Sequence, residues 1–439
     1  MPSATHQAID AVWRMESAKI VAKLLRLVRD IGLAEELAQD ALVAALEHWP
    51  GAGVPDNPGA WLMATAKNRA FDRLRRNKVL DARLEQIGQD LDAQEALIVP
   101  DFVDGLDAAR ADVIGDDLLR LIFTACHPVL PAEARVALTL RLLGGLSTHE
   151  IARAFLVPEP TIAQRIVRAK RTLSAAQVPF ELPRGDAPGS GLGERLASVL
   201  EVVYLIFNEG YTATAGEDWM RPALTDEALR LGRMLAELAP GESEVHGLAA
   251  LMELQASRAA ARVDAAGRPV LLLEQNRARW DRLLIRRGLV ALERAEALAR
   301  SHGHADGPYA LQAAIAACHA RARRAAATDW PRIAALYGVL AQVAPSPVVE
   351  LNRAVAVGMA YGPAAGLDIV DTLRQERSLQ NYQWLPSVRG DLLAKLGRND
   401  EARGEFGRAA ALARNARERE LLLARAQGLA PQGHPPPPP

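Results

Sequence analysis

The sequence predicts an all-α protein. Three observations carry this. Almost every periodic segment repeats its apolar residues at helical spacing, and alternating Val/Ile/Thr strands are absent. The chain is also rich in alanine, leucine and arginine, with only 5% aromatic residues, a composition that favours packed helices. Its 439 residues correspond to roughly three domains.

Charge nearly cancels, with 52 Lys+Arg against 53 Asp+Glu. This excludes a uniformly basic nucleic-acid coat but allows a patterned one. Two cysteines, Cys126 and Cys318, are too few for a disulfide framework and fit a reducing compartment. The start, MPSATHQAID, lacks the basic-then-apolar order of a signal peptide. The most apolar stretch, Leu196–Phe207, is too short to span a bilayer and holds Glu201. A cytoplasmic protein with no membrane partner is expected.

Taken in order, Ile20, Leu24, Leu27 and Val28 mark the stripe of a first helix, and Leu33, Leu37, Ala41 and Ala44 that of a second. Breakers from Pro50 to Pro58 predict a loop. Asn57 and Pro58 then suit the N-cap and first position of a helix containing WLMATAKNRAFDRLRRNK, residues 61–78. In it, Lys67, Arg69, Arg73, Arg75, Arg76 and Lys78 stand against one acid, Asp72. Trp61, Leu62, Ala66 and Leu74 suit the inner side. Asn68, Arg69, Asp72, Arg75 and Arg76 recur at spacings of three and four, which places several of them on the outer face. Amides beside arginines suit base edges and phosphates; a solvated charged face accounts for them equally well. Residues 81–120 hold eleven acids against three bases, the pattern of an acidic linker.

In LSTHEIARAFLVPEPTIAQRIVRAKRTL, residues 146–173, Ser147 and Glu150 form a capping box. Ile151, Ala152 and Phe155 face inward, Leu156–Glu159 make a turn, and Pro160 opens a second helix. There Ile162, Ile166, Ala169 and Leu173 form the buried stripe, with Thr161, Gln164, Arg165, Arg168 and Arg171 opposite. This is the layout of a helix-turn-helix, with Gln164 and Arg165 for bases and Arg168, Lys170 and Arg171 mainly for the DNA backbone. An ordinary helical hairpin with a basic face is the competing reading.

A second break, Pro179–Gly193, precedes a long helical half. Within residues 383–414, Gly390, Leu393, Gly397, Ala402, Phe406 and Ala409 stand where a tetratricopeptide (TPR) repeat places its small and large packing residues. Thr328–Pro347 and Glu350–Leu373 read as further hairpin segments, so residues from about 290 to 425 predict a short solenoid. The Pro-rich tail from Ala430 is expected to be extended and disordered. Cys126-His127 and Cys318-His319 are adjacent pairs whose side chains point apart on a helix, and His302 and His304 lack partners. No phosphate loop, nucleophile elbow or HExxH occurs. No enzyme, no cofactor and no metal are expected.

The two basic elements, in this order and joined by an acidic linker, resemble bacterial sigma factors of the extracytoplasmic-function (ECF) group. Gly32–Pro50 looks like the region 2 helix that docks on RNA polymerase, Asn57–Arg76 like the reader of the promoter −10 element, and residues 146–173 like region 4, which reads the −35 element. The resemblance implies that the acidic side formed by Glu35, Glu36, Gln39, Asp40 and Glu47 meets the basic coiled coil of the polymerase's largest subunit, with the polymerase flap as a further contact. It implies that Asn68, Arg69, Asp72, Arg75 and Arg76 engage −10 DNA, and that the loop at about Trp49–Pro58 captures a flipped base. Thr161, Gln164, Arg165, Arg168, Lys170 and Arg171 would engage −35 DNA. Two departures stand out: Leu156 occupies a turn position usually held by glycine, and Glu159-Pro160 replaces a Ser/Thr cap.

The expected domains are region 2 (10–80), the linker (81–115), region 4 (116–177), a helical extension (187–290), TPR-like repeats (291–425) and the tail (426–439). The extension is similar to that of a sigma subgroup with a C-terminal TPR-like region, a match that includes Tyr204–Trp219. That resemblance implies that it regulates or supports sigma activity. Its concave face takes a protein or peptide partner, or it is a scaffold. Asn208, Glu209, Tyr211 and Trp219 are likewise either a binding site or a packing loop. The function expected is recruitment of core RNA polymerase to promoter DNA. The rivals are a stand-alone helix-turn-helix regulator with a helical sensor domain, which leaves Gly32–Arg76 without a purpose, and an interaction scaffold.

Overall fold

In the computed structural model, residues 4–85, 117–155, 157–182, 192–213 and 218–429 are described. All regular elements among them are helices, with one isolated bridge between Val263 and Pro269. The chain divides into two units, residues 1–203 and 204–439.

In the first unit, α1 (Ala4–Val28) buries Ile9, Trp13, Ile20 and Leu24 at helical spacing. It ends at Arg29, a non-glycine residue in the left-handed region (φ +54°). Asp30 then caps α2 (Ile31–Ala52), its Oδ1 accepting from Leu33 N at 2.6 Å. Alanines 34, 38, 41 and 45 give α2 a small-residue seam against α1. The loop expected from Pro50 starts later, because α2 continues through Pro50 to Ala52 and stops at Gly53 (φ +87°). A proline in a final turn removes one donor near a frayed end, and Trp49, buried edge-on against Trp61 at 5.5 Å, holds that turn in place. Asn57 Oδ1 accepts from Ala60 N at 3.1 Å and opens α3 (Pro58–Glu85) as expected. Most of the acidic segment, residues 86–116, lies outside the described residues.

Helix α4 (residues 117–125) leads to α5 (Ala132–Leu142), α6 (Thr148–Phe155) and α7 (Glu159–Ala175), which pack together. The capping box is present: Ser147 N donates to Glu150 Oε2 at 2.8 Å and Glu150 N to Ser147 Oγ at 3.1 Å. Helix α7 starts at Glu159, so Pro160 takes the second helical position. Leu156, the departure in the turn, lies outside the described residues, as do residues 183–191 of the second break. Helix α8 (Leu192–Tyr211) contains the unit boundary; in the first unit its Ser198 donates to Cys126 O at 2.6 Å and its Arg195 to Phe123 O at 2.7 Å.

The second unit comprises α9 (Pro222–Leu238), α10 (Ser243–Ala256), α11 (Arg282–Ser301), α12 (Pro308–Arg321), α13 (Trp330–Val343), α14 (Pro347–Tyr361), α15 (Pro363–Thr372), α16 (Trp384–Lys395), α17 (Asn399–Leu412) and α18 (Ala416–Gly428). Most pack chiefly on their sequence neighbours, while α12 packs most extensively on α10. Three apolar clusters follow one another, centred on Leu254 and Trp280, then Ile333, then Leu393 and Phe406. This is the TPR-like solenoid organisation. The repeat read at 383–414 forms the α16–α17 hairpin. Leu393, Ala402, Phe406 and Ala409 are buried, Gly390 faces the Phe406 ring, and Gly397 (φ +75°) makes the turn. The weaker hairpin at 350–373 is α14–α15. There Gly358 and Gly366 let two backbones meet, since a Cβ on Gly366 would lie 2.6 Å from Ala354 O.

The first and last parts of this unit also join. Asn415 is fully buried; its Oδ1 caps α18 while its Nδ2 donates to Asp218 O at 2.9 Å. Trp219 Nε1 donates to Glu418 Oε1 at 3.4 Å. The Arg262 guanidinium lies between the Tyr211 and Trp219 rings, 3.5 and 4.3 Å from their centroids, and burial lowers its pKa to about 10. Glu209 pairs with Arg221. Within the motif at 208–219, Glu209, Tyr211 and Trp219 are thus used in internal packing, and residues 214–217 lie outside the described residues.

Candidate nucleic-acid interface

Helix α3 buries Leu62, Ala66 and Ala70 against α1 and α2. The same spacing leaves Asn68, Asp72, Arg75 and Arg76 exposed. Arg69 is partly covered because it reaches Asp40 of α2 at 3.4 Å. A shallow groove of about 250 Å³ is lined by Glu36, Leu37 and Asp40 of α2 and by Arg69, Arg73 and Arg76 of α3. Acids expected to meet polymerase and bases expected to meet DNA therefore share one groove.

Helix α7 buries Ile162, Ile166, Ala169 and Leu173, the stripe expected. Gln164, Arg168 and Arg171 are exposed, and Thr161 and Arg165 are half-buried. Lys170 differs from the other cations. It follows Ile166 by four residues, which turns it toward the packed side, where it pairs with Glu35 of α2.

Glu35 corrects a sequence expectation. It was placed on an exposed acidic side, yet it is buried. It accepts from Arg141 Nε at 2.5 Å as well as pairing with Lys170. Burial pushes its carboxyl up, but Lys170 and Arg141 outweigh burial and hold it below the usual carboxylate range. Glu36 is exposed and Gln39 and Asp40 are half-buried. Arg141 was not singled out in the sequence. Its partner lies 106 positions away, so no local pattern reveals the pair. Further links join other elements of this unit: Arg14 of α1 to Glu150 of α6 at 3.1 Å, and Arg26 of α1 to the buried Asp117 of α4 at 3.6 Å.

Among the described residues no His/Cys/Asp/Glu group is arranged to hold a metal. Cys126 is buried against Thr139, and burial raises its pKa to about 11, which makes it unreactive as a thiolate. No described helix is long and apolar enough to cross a membrane.

A three-helix domain with a basic outer helix, followed by a helix-turn-helix with a polar and cationic outer face, places the chain in the class of helical DNA-binding proteins. Sigma-70 region 2 matches residues 13–79 and sigma-70 region 4 matches residues 120–173; a family of unknown function (DUF6596) matches residues 195–296. An uncharacterized protein of Rhizobium meliloti is 46% identical over 90% of this chain and 89% of its own. A probable ECF RNA polymerase sigma factor of Mycobacterium tuberculosis is 25% identical over 39% of this chain and 57% of its own. The RNA polymerase sigma-H factor of Pseudomonas aeruginosa is 28% identical over 40% of this chain and 88% of its own. The chain belongs to the ECF group of the sigma-70 family of RNA polymerase sigma factors, and it continues into a TPR-like helical extension.

Proposed function

We propose that the chain directs core RNA polymerase to promoters, with α2 as a polymerase-docking helix, α3 as the −10 reader and α7 as the −35 reader. The observation that carries the reading is the pairing of two helices, each with a buried apolar stripe and a polar, cationic outer face, within one unit. Glu36, Gln39 and Asp40 offer the polymerase an acidic surface, and Glu35 joins them when its internal pairs open. Asn68, Arg69, Asp72, Arg75 and Arg76 meet −10 DNA. Thr161, Gln164, Arg165, Arg168 and Arg171 meet −35 DNA, and Lys170 is added once it leaves Glu35. The form in which Glu35 holds Arg141 and Lys170 is a resting form. The extension regulates or supports this activity.

The test is titration into core polymerase followed by sequencing of transcripts made from genomic DNA. New start sites that share upstream −35 and −10 elements are expected. Failure to bind core, together with tight sequence-specific binding to duplex DNA alone, overturns the reading.

A further inference from the structure

The second unit carries a concentration of positive charge that the promoter readers do not use. Arg277 creates it. This residue is buried just before α11, and its Nη1 donates to His319 O at 2.6 Å and to Ala322 O at 2.7 Å, while Nη2 donates to Thr328 Oγ1 at 3.0 Å. One guanidinium therefore ties the start of α11 to the end of α12. The chain on both sides of the tie is arginine-rich: Arg279, Arg282 and Arg286 on one side, Arg321, Arg323 and Arg324 on the other, all exposed. Arg282 and Arg286 are one helical turn apart and share a face.

None of these six holds an ion pair among the described residues. Asp281 and Asp329, which flank them, are turned to helix N-termini, accepting from Leu283 N and from Arg332 N. Elsewhere in the same unit the exposed Arg398 pairs with Glu401 at 2.7 Å, and the half-buried Arg403 and Arg417 pair with Asp400 at 2.8 Å and Glu420 at 3.2 Å. What sets this corner apart is that the Arg277 tie brings two such segments together, within a chain whose total charge is −1.

We infer that this corner is a binding surface for the phosphate backbone of duplex DNA, additional to the two promoter readers. Guanidinium forks match phosphate oxygens two at a time. The residues among them include the small Ala278, Ala322 and Ala325; Leu283 is exposed, but Trp280 is buried and no aromatic side chain of these segments is exposed to centre a protein–protein interface. Contacts of this type are blind to sequence and strengthen as salt falls. The inference rests on the charge layout of the second unit and stands whether or not α3 and α7 read promoters.

The test uses the full chain and a labelled 40-base-pair duplex of arbitrary sequence, titrated by anisotropy at several salt concentrations. The triple variant Arg282→Gln/Arg286→Gln/Arg323→Gln is compared with Arg398→Gln/Arg403→Gln/Arg417→Gln, which removes the same charge from paired positions. The first is expected to bind about tenfold more weakly at low salt, with its log–log salt slope reduced by about 0.9 for each lost phosphate contact. The second is expected to change less than twofold. Equal affinities and slopes for the two triples overturn the inference. So does a corner triple that binds the duplex normally but loses affinity for core polymerase, which would make the surface a site for an acidic protein.

Discussion

Arg165 and Glu35 show how single side chains divide the work of this protein. Arg165 is half-buried on the outer side of α7, near the N-terminus of the helix. If it reads a base, Arg165→Ala costs about 1–3 kcal/mol of promoter affinity and relaxes preference at one position. A panel of single-base −35 variants bound to the reconstituted holoenzyme measures this; uniform weakening across the panel would make Arg165 a phosphate contact. Glu35 acts on stability. Its carboxyl is held below its ordinary value of 4.5, so its contribution is complete above that value and is lost as pH falls through the depressed native one. Glu35→Gln leaves Arg141 and Lys170 without their counter-charge and is expected to cost about 2 kcal/mol at neutral pH. Urea titrations from neutral to acid pH should show the gap between wild type and variant closing as the medium becomes acidic. A gap independent of pH would remove the electrostatic explanation.

At the scale of elements, the helices were largely legible because a buried stripe repeats in the sequence. The stripes of α3 and α7, the capping box of α6 and the α16–α17 hairpin are all local patterns, spanning at most a few turns. The boundary at Pro50 was not legible. A proline reads as a breaker, and only the packing of Trp49 on Trp61 reveals that the helix runs past it. The α14–α15 crossing supplies an element-level prediction. A Cβ at Gly366 would fall 2.6 Å from Ala354 O and 2.9 Å from Gly358 Cα, both backbone atoms. Gly366→Ala should therefore destabilise the unit by about 1–3 kcal/mol even though alanine favours helix. Thermal unfolding of the full chain checks this; an unchanged or raised midpoint would show that the two helices part at no cost.

At the scale of the molecule, each unit is organised differently. The first is closed by ion pairs between residues far apart in sequence, Glu35 with Arg141 and Lys170, and Arg14 with Glu150. Opening these pairs would free Glu35 for a basic partner, so Arg141→Met is expected to raise affinity for core polymerase several-fold by weakening the resting form. Binding to core measured by fluorescence anisotropy tests this, and weaker binding would mean that the pair holds α2 in its docking geometry. The second unit packs mainly neighbour on neighbour, and its ends are joined through Asn415 and Trp219. The motif at 208–219 left two readings open. Its Tyr211, Trp219 and Glu209 are committed to Arg262, Glu418 and Arg221, which uses much of the polar and aromatic character that had suggested a ligand site.

The sequence by itself determined the fold class, the order of sigma regions 2 and 4, the faces that α3 and α7 bury, and the TPR-like hairpin near the C-terminus. These properties depend on spacings of three or four residues, and such spacings survive in one dimension. Only the tertiary structure decided that Glu35 is buried, that Lys170 faces α2, that Asn415 returns to Asp218 and that two arginine-rich segments meet at one corner of the second unit. Each of these joins residues tens to hundreds of positions apart. A side chain's charge and size are written in the sequence, but the partner that satisfies it is chosen by the way the helices pack.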